Sequence, residues 1–459
     1  MQKKLYLIGW GVYAIMLFYS VLYFKERFAF IDGANFLFTI LQKGSFAIFH
    51  SRYIAIFTEI FPLVASKLSL SLSAVTLSYS VGFNIYYSLC YFICGTVFKR
   101  YDFALVAMLI NILFVTHTFY WLISELPQGM NFIVVFLAFL SQLKDKKINL
   151  FNWVLLVFFV IVIVWSHPLA MFPFGFCMVF FYVAEQPPIA RKHLILSTVL
   201  YAAFFIIKYL FFRDKYDASS IGAAKNLVRF FPNYFNIYSN HAFIAYCKKM
   251  YYWIPALFLL NTVNYVRNKK WKQLLVFQGF FLAYFFLINV SYYKSDVSTF
   301  YIENLYLPLG IMLALPFVFD AYTYLLPGRI FFATCLLFMV SWVYRVYDIG
   351  KFYVARLNWE RNFLLQHHNE KLIVGKSILP MDTVVKTWAT PYEFWLISTM
   401  ETDTTASITM VDNPMEYYWA AHERTKFLPA WGLFSYSEMP RRYFKLYDTT
   451  TSYITLDKH

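Results

Sequence analysis

Eleven apolar runs, each close to the length of a bilayer-crossing helix, divide this chain, and no other feature constrains its fold as strongly. They fall at about 5–24, 74–98, 103–121, 130–143, 148–165, 169–184, 194–212, 251–265, 274–290, 304–319 and 330–347. The hydrocarbon core of a membrane takes about 20 apolar residues of helix. Inside it only helices and closed barrels satisfy every backbone N–H and C=O. The expected fold class is therefore an all-α polytopic membrane protein of about eleven transmembrane helices. With 60% hydrophobic and 14% charged residues, the chain cannot cover the surface of a soluble protein of this size. The first run, after "MQKK", reads as a span rather than a cleaved leader, because no small-residue cleavage site follows it.

The connectors between runs alternate in character. One set is short and basic: "KK" at 3–4, "KRYD" at 99–102, "KDKKIN" at 144–149, "EQPPIARKH" at 185–193, "VRNKKWKQ" at 266–273 and "DAYTYLLPGR" at 320–329. Its Lys and Arg density is about three times that of the other set, which puts the first set and the N-terminus in the cytoplasm. The net charge of +15 is explained in the same way, and no nucleic-acid partner is implied. Four of the five cysteines lie within runs and only Cys247 in a loop, with neither a disulfide framework nor metal-ligand spacing.

An odd number of spans leaves the tail outside. The expected division is a transmembrane module at 1–348 and a small extracytoplasmic α/β domain at 349–459. The tail opens with a helix at 349–368 and continues with β-like pieces at 371–379 and 406–412. The first outer loop, 25–73, is long but not polar. "GANFLFTILQKG" (33–44) and "SRYIAIFTEIFPLVASKL" (51–68) read as two helices lying on the membrane surface.

The chemistry-bearing residues gather on the outer side. Asp32 stands between the first span and the first surface helix, where it suits either a helix N-cap or a catalytic base. His50 and Arg52 precede the second surface helix, in which Glu59 is expected to face water or headgroups. Glu125 lies in "SELP", His167 in the turn "SHP", and Lys294, Asp296 and Glu303 lead into the tenth run. Arg52 and Lys294 also suit interfacial anchors, and His167 also suits a turn cap. An acid at a helix end in the interface is costly unless paired or functional, which singles out Glu125 and Glu303. Few charges lie deep in the runs, whereas an ion-coupled transporter needs them near the midplane.

This layout resembles the GT-C superfamily of polytopic glycosyltransferases, which take sugar from a polyprenyl-phosphate donor. It is most similar to the bacterial protein mannosyltransferase and aminoarabinose transferase group. The resemblance rests on Asp32 after the first span, two surface helices in the first outer loop, Glu125 in the second, and an outer domain after the last span. Two features depart from the pattern. Gly33 stands beside Asp32 where many relatives have a second acid, and "FYIENLY" offers Glu303 where many have Arg-Tyr. The resemblance implies that Asp32 is the general base and that Glu125 orients the acceptor or a divalent cation. Arg52, then Lys294, would hold the leaving phosphate. His50 or His167 would add a hydrogen bond, and Glu303 would take the late substrate contact. A divalent metal held by Asp32, Glu125 and one His is an option within this scheme. The implied partners are a polyprenyl-phosphate-linked sugar, a lipid, glycan or protein acceptor, and membrane lipid. The implied location is the bacterial inner membrane. Two alternatives remain at this stage: a transporter or flippase for a lipid-linked glycan, and a glycan polymerase or ligase.

Overall fold

The computed structural model describes all residues except 1, 123–124, 145–147, 213–224, 295–298, 368–369, 381–383, 386, 403, 418, 420–421, 429–432, 447–449 and 458–459. The described chain is mostly helical, with a small sheet near the C-terminus. The principal helices are α1 (Gln2–Leu22), α2 (Phe24–Phe28), α3 (Asp32–Lys43), α4 (Ile56–Lys67), α5 (Leu72–Phe92), α6 (Tyr101–Ile110), α7 (Glu125–Gln142) and α8 (Leu150–Val164). They continue with α9 (Met171–Val183), α10 (Arg191–Phe211), α11 (Tyr238–Lys249), α12 (Trp253–Arg267), α13 (Trp271–Ser291), α14 (Thr299–Pro316), α15 (Gly328–Gln366) and α16 (Thr390–Glu401).

Every one of the eleven apolar runs is helical over part of its length. Among the described residues, five segments are long and apolar enough to cross a membrane: Lys3–Leu22, Arg191–Phe211, Trp271–Ser291, Thr299–Tyr324 and Gly328–Gln366. The other runs form shorter or more polar helices. Thr299–Tyr324 is almost wholly enclosed by its neighbours, so it is the axis of the bundle. Pro308 and Pro316 lie in it, and a π turn at Phe317–Ala321 follows Pro316, where the ring removes a ladder hydrogen bond.

The third run departs most from expectation. Helix α6 stops at Ile110 rather than continuing to 121, and the chain unwinds through 111–116 while still buried. Irregular backbone is tolerated in such surroundings only if its polar groups find partners. Arg345 on α15 supplies donors, giving Nη2 to the Ile112 carbonyl at 2.5 Å and Nη1 to the Leu113 carbonyl at 3.2 Å and Thr116 Oγ1 at 3.0 Å. Glu303 on α14 supplies acceptors to the backbone N–H groups of Thr116 (2.8 Å), His117 (3.1 Å) and Thr118 (2.7 Å).

The two helices expected in segment 25–73 behave differently from each other. Helix α4 keeps one apolar stripe exposed, with Phe57, Ile60 and Val64 on it, as a helix on a lipid surface should. Helix α3 is buried from Gly33 to Leu41. It is covered by the C-terminal segment: Phe38 packs against Tyr392, Trp395, Phe427, Phe434 and Phe444, with ring centroids 4.8–5.5 Å apart. It is thus an inter-layer helix and not a free surface one, because its rings bury more apolar area against protein than a flat position would.

The C-terminal part is an α/β unit. Strands β1 (Lys371–Gly375), β2 (Ser407–Val411) and β5 (Ile454–Leu456) form a parallel sheet in the order β2-β1-β5, and α16 makes the crossover from β1 to β2. Both β-like pieces of the sequence are strands here. Two short antiparallel strands, β3 (Lys426–Phe427) and β4 (Phe434–Ser435), complete the unit. Helix α15 runs unbroken for 39 residues through the division expected at 348. At 1.5 Å per residue it is about 58 Å long, enough to cross a bilayer and enter the outer layer without a hinge.

Candidate active site beneath the C-terminal unit

Asp32 begins α3. The cap position belongs to Ile31, and no side chain caps this helix, so the N-cap role expected as one alternative for Asp32 is not the one it takes. Its Oδ2 instead accepts from the indole Nε1 of Trp121 at 2.8 Å. Trp121 is delivered by the turn that Arg345 and Glu303 hold. The Asp32 carboxyl is pushed up to about 7. Burial is the main cause and the negative charge of Glu125 adds to it, while the Trp121 hydrogen bond and the positive charge of Arg52 oppose it.

Arg52 lies just before the short 3-10 turn Tyr53–Ala55 that leads into α4. The two residues before it, His50 and Ser51, have φ of 52° and 56°. Consecutive left-handed non-glycine residues are strained, and such strain collects at functional sites. The guanidinium of Arg52 stands 3.8 Å from Oε2 of Glu125, the first residue of α7, and both are buried. Gln128, one turn further along α7, donates to Thr58 Oγ1 on α4 at 2.7 Å. That bond ties the two helix starts together and so fixes the Arg52–Glu125 pair.

His167 caps the turn between α8 and α9, with Nδ1 accepting from the Leu169 N–H at 3.1 Å. Burial holds its ring well below the ordinary histidine range, and its neighbours Arg52, Lys208 and His50 reinforce this. The ring is therefore neutral. With Nδ1 accepting, the proton sits on Nε2, which is left as a neutral hydrogen-bond donor facing a basic cluster.

Five of the seven site residues read from the sequence are thus linked through Arg52: Asp32, Glu125 and His167 each lie within its electrostatic reach, and His50 within that of His167. Lys294 is exposed at the end of the loop after α13. Asp296 lies outside the described residues. Glu303 has another task. Besides the three backbone N–H groups it accepts from Thr118 Oγ1 at 2.7 Å and from the Tyr251 hydroxyl, so its acceptor positions are filled by protein donors and none is left for substrate.

Three further residues belong to the cluster. Glu59 is completely buried, contrary to the expectation that it faces water. Its Oε2 accepts from the Ala47 N–H at 2.7 Å, its Oε1 has no hydrogen-bond partner, and burial pushes its carboxyl up to about 7. The Tyr79 hydroxyl, also buried and without a partner, is within electrostatic reach of Glu59 and Glu125. Lys208 on α10 gives Nζ to the Val164 carbonyl at 3.0 Å and reaches the same cluster through His167. The sequence carried one usable signal for Glu59. In α4 the exposed stripe is apolar, so at a lipid surface the polar face, Thr58 and Glu59, turns inward.

Among the described residues no three His, Cys, Asp or Glu side chains come together as metal ligands. Glu125 faces Arg52, and the nearest partner of Asp32 is an indole. The donor set therefore does not form a ready cradle for a divalent ion.

No protein-family model matches the chain, and no curated protein or solved structure is significantly similar to it.

Proposed function

We propose that this chain is a membrane glycosyltransferase of the GT-C type, moving a sugar from a polyprenyl-phosphate donor to an acceptor hydroxyl at the outer face of a bacterial inner membrane. On this reading the other six apolar runs also lie within the bilayer region, the N-terminus is cytoplasmic, and the C-terminal unit is outside. The observation that carries the proposal is the convergence of a half-buried carboxyl near neutral pKa, Asp32, with the buried Arg52–Glu125 pair and with His167, next to the turn that the C-terminal unit holds through Ile31.

The chemistry runs as follows. The acceptor hydroxyl oxygen attacks the anomeric carbon while Asp32 takes its proton. The bond from that carbon to the phosphate oxygen breaks, and the phosphate leaves with the electron pair. A base works best when its pKa lies close to the working pH, and a carboxyl near 7 meets that condition. Arg52, with Lys208 behind it, offers positive charge to the leaving phosphate in a site poor in water, and His167 Nε2 offers a neutral donor. Glu125 keeps Arg52 in place and is positioned to orient the acceptor. No step is routed through a metal.

The break after Ile110 gives some support to a transporter, since discontinuous helices often form transport sites. Here the freed backbone groups are already taken up by Arg345 and Glu303, which leaves no obvious coordination for a transported ion. The deciding experiment presents purified protein with a panel of radiolabelled polyprenyl-phosphate sugars, with Asp32→Asn alongside. The transferase reading expects one donor to be consumed by the wild type and at least ~10²-fold more slowly by the variant. Equal turnover by both would remove Asp32 as the base, and transport of a donor without its consumption would favour the flippase.

A further inference from the structure

The residues just before Asp32 are held in an unusual conformation, and the group that holds them comes from the opposite end of the chain. Ile31 has φ 43° and ψ −115°. A β-branched residue at positive φ is strained and persists only where its surroundings fix it. Here two groups fix it. Arg356, on the outer half of α15, gives Nη1 to the Ala29 carbonyl at 2.5 Å. Glu393, on α16, accepts the Ile31 N–H through Oε1 at 2.6 Å. The two are ion-paired with each other, and Arg356 also pairs with Glu360 at 2.7 Å. Its guanidinium lies 5.0 Å from the centroid of the Phe30 ring. All three charged residues are buried. Burying one cation and two carboxylates is costly unless their geometry is well satisfied. The cluster is therefore an expensive way merely to attach the C-terminal unit. Attachment is already served at the rim, where Glu401 bridges Lys25 and Arg361.

We propose that Arg356 and Glu393 are positioning residues for Asp32: the C-terminal unit grips Ala29–Ile31 and thereby holds the carboxylate, one residue on, against Trp121. This rests on reading Asp32 as the base. It gives the C-terminal unit a part in the chemistry without any contact to substrate. Release of the turn would let Ile31 relax to ordinary backbone and would swing Asp32 toward water.

The test reads Asp32 without a substrate. Dicyclohexylcarbodiimide modifies protonated carboxyls in apolar surroundings. The yield at Asp32 is followed by peptide mass on the full-length purified protein from pH 5 to 8. Wild type should lose half its labelling near pH 7. Glu393→Gln keeps the shape but breaks the ion pair. Its half-labelling pH should fall by at least one unit toward the ordinary carboxyl value of about 3.9, with the yield at pH 6.5 falling about threefold or more. Glu393→Asp should recover part of the shift. Glu401→Gln cuts the rim contact and should leave Asp32 unchanged. Should Glu393→Gln fail to fold, Arg356→Lys keeps the charge but loses the fork, and it carries the same expectation. Wild-type labelling in Glu393→Gln would overturn the proposal, as would an equal fall in Glu401→Gln. The donor assay fails separately if Asp32 is not the base, so the two outcomes remain distinct.

Discussion

Asp32 begins helix α3 and Glu303 lies in the second turn of helix α14, and the sequence offered both carboxylates as site residues. Their surroundings separate them. Glu303 accepts from three backbone N–H groups, a threonine hydroxyl and a tyrosine hydroxyl. Asp32 accepts from the Trp121 indole and from its own backbone N–H, and it lies beside a second negative charge. A carboxylate whose acceptor positions are all occupied by the protein has spent its chemistry on the fold. One with fewer donors, a desolvated site and a charged neighbour retains the capacity to exchange a proton. The lesson is general for buried acids: the number of donors distinguishes a clamp from a base better than burial does.

The sharpest way to break this comparison is to remove each charge in turn. Asp32→Asn should cost at least ~10²-fold in donor turnover. It should also raise thermal stability at pH 8. The native carboxyl titrates near 7 and the unfolded one near 4. Between those values the native state holds a proton that the unfolded state has released, so wild-type stability falls as pH rises through that window. The variant has no such penalty, and the two melting curves should converge below about pH 4. Glu303→Gln should do the opposite. An amide sets N–H groups against backbone donors, leaving them unsatisfied at a cost of about 1–3 kcal/mol, seen as a lower Tm at every pH. If Glu303→Gln lost turnover with its Tm intact, Glu303 would be a site residue after all.

Arg52 sharpens the same contrast from the cationic side. Arg52→Ala should weaken turnover about tenfold or more by removing charge from the leaving phosphate, and Arg52→Lys should restore only part of it, because a point charge lacks the fork. The variant leaves Glu125 buried without its partner, so stability must be followed alongside turnover.

Much of this was legible in the sequence, for identifiable reasons. The helices followed from apolar runs, and β1 and β2 from short β-like pieces. Asp32, Arg52, Glu125 and His167 stood out because charge next to an apolar run is expensive. What could not be read were long-range pairings. The break after Ile110 depends on Arg345 and Glu303, which lie more than 180 residues away in sequence. The burial of α3 depends on rings from 392 to 444. Glu59 was misjudged because the rule that polar faces point to water reverses where a helix lies on lipid. Lys208 went unnoticed at the end of an apolar run, where a lysine reads as an anchor until His167 and the Val164 carbonyl are seen beside it.

The smallest expected effect is also the most discriminating, because it tests the indole donor on Asp32. Trp121→Phe keeps the ring that packs near Phe300 and Tyr301 but deletes the N–H. That hydrogen bond favours the ionised carboxylate, so its loss should raise the Asp32 pKa above about 7. A base that titrates higher is less ionised at neutral pH. Turnover at pH 7 should therefore drop by roughly a few-fold and recover by about pH 8.5, with the rising limb of the pH–rate profile moved to higher pH by less than about one unit. A uniform loss at all pH values would mean that the indole positions substrate rather than tuning the carboxylate. No change at all would mean that the Asp32–Trp121 contact does not matter in the working enzyme, and Asp32 would then owe its proton affinity to burial and Glu125 alone.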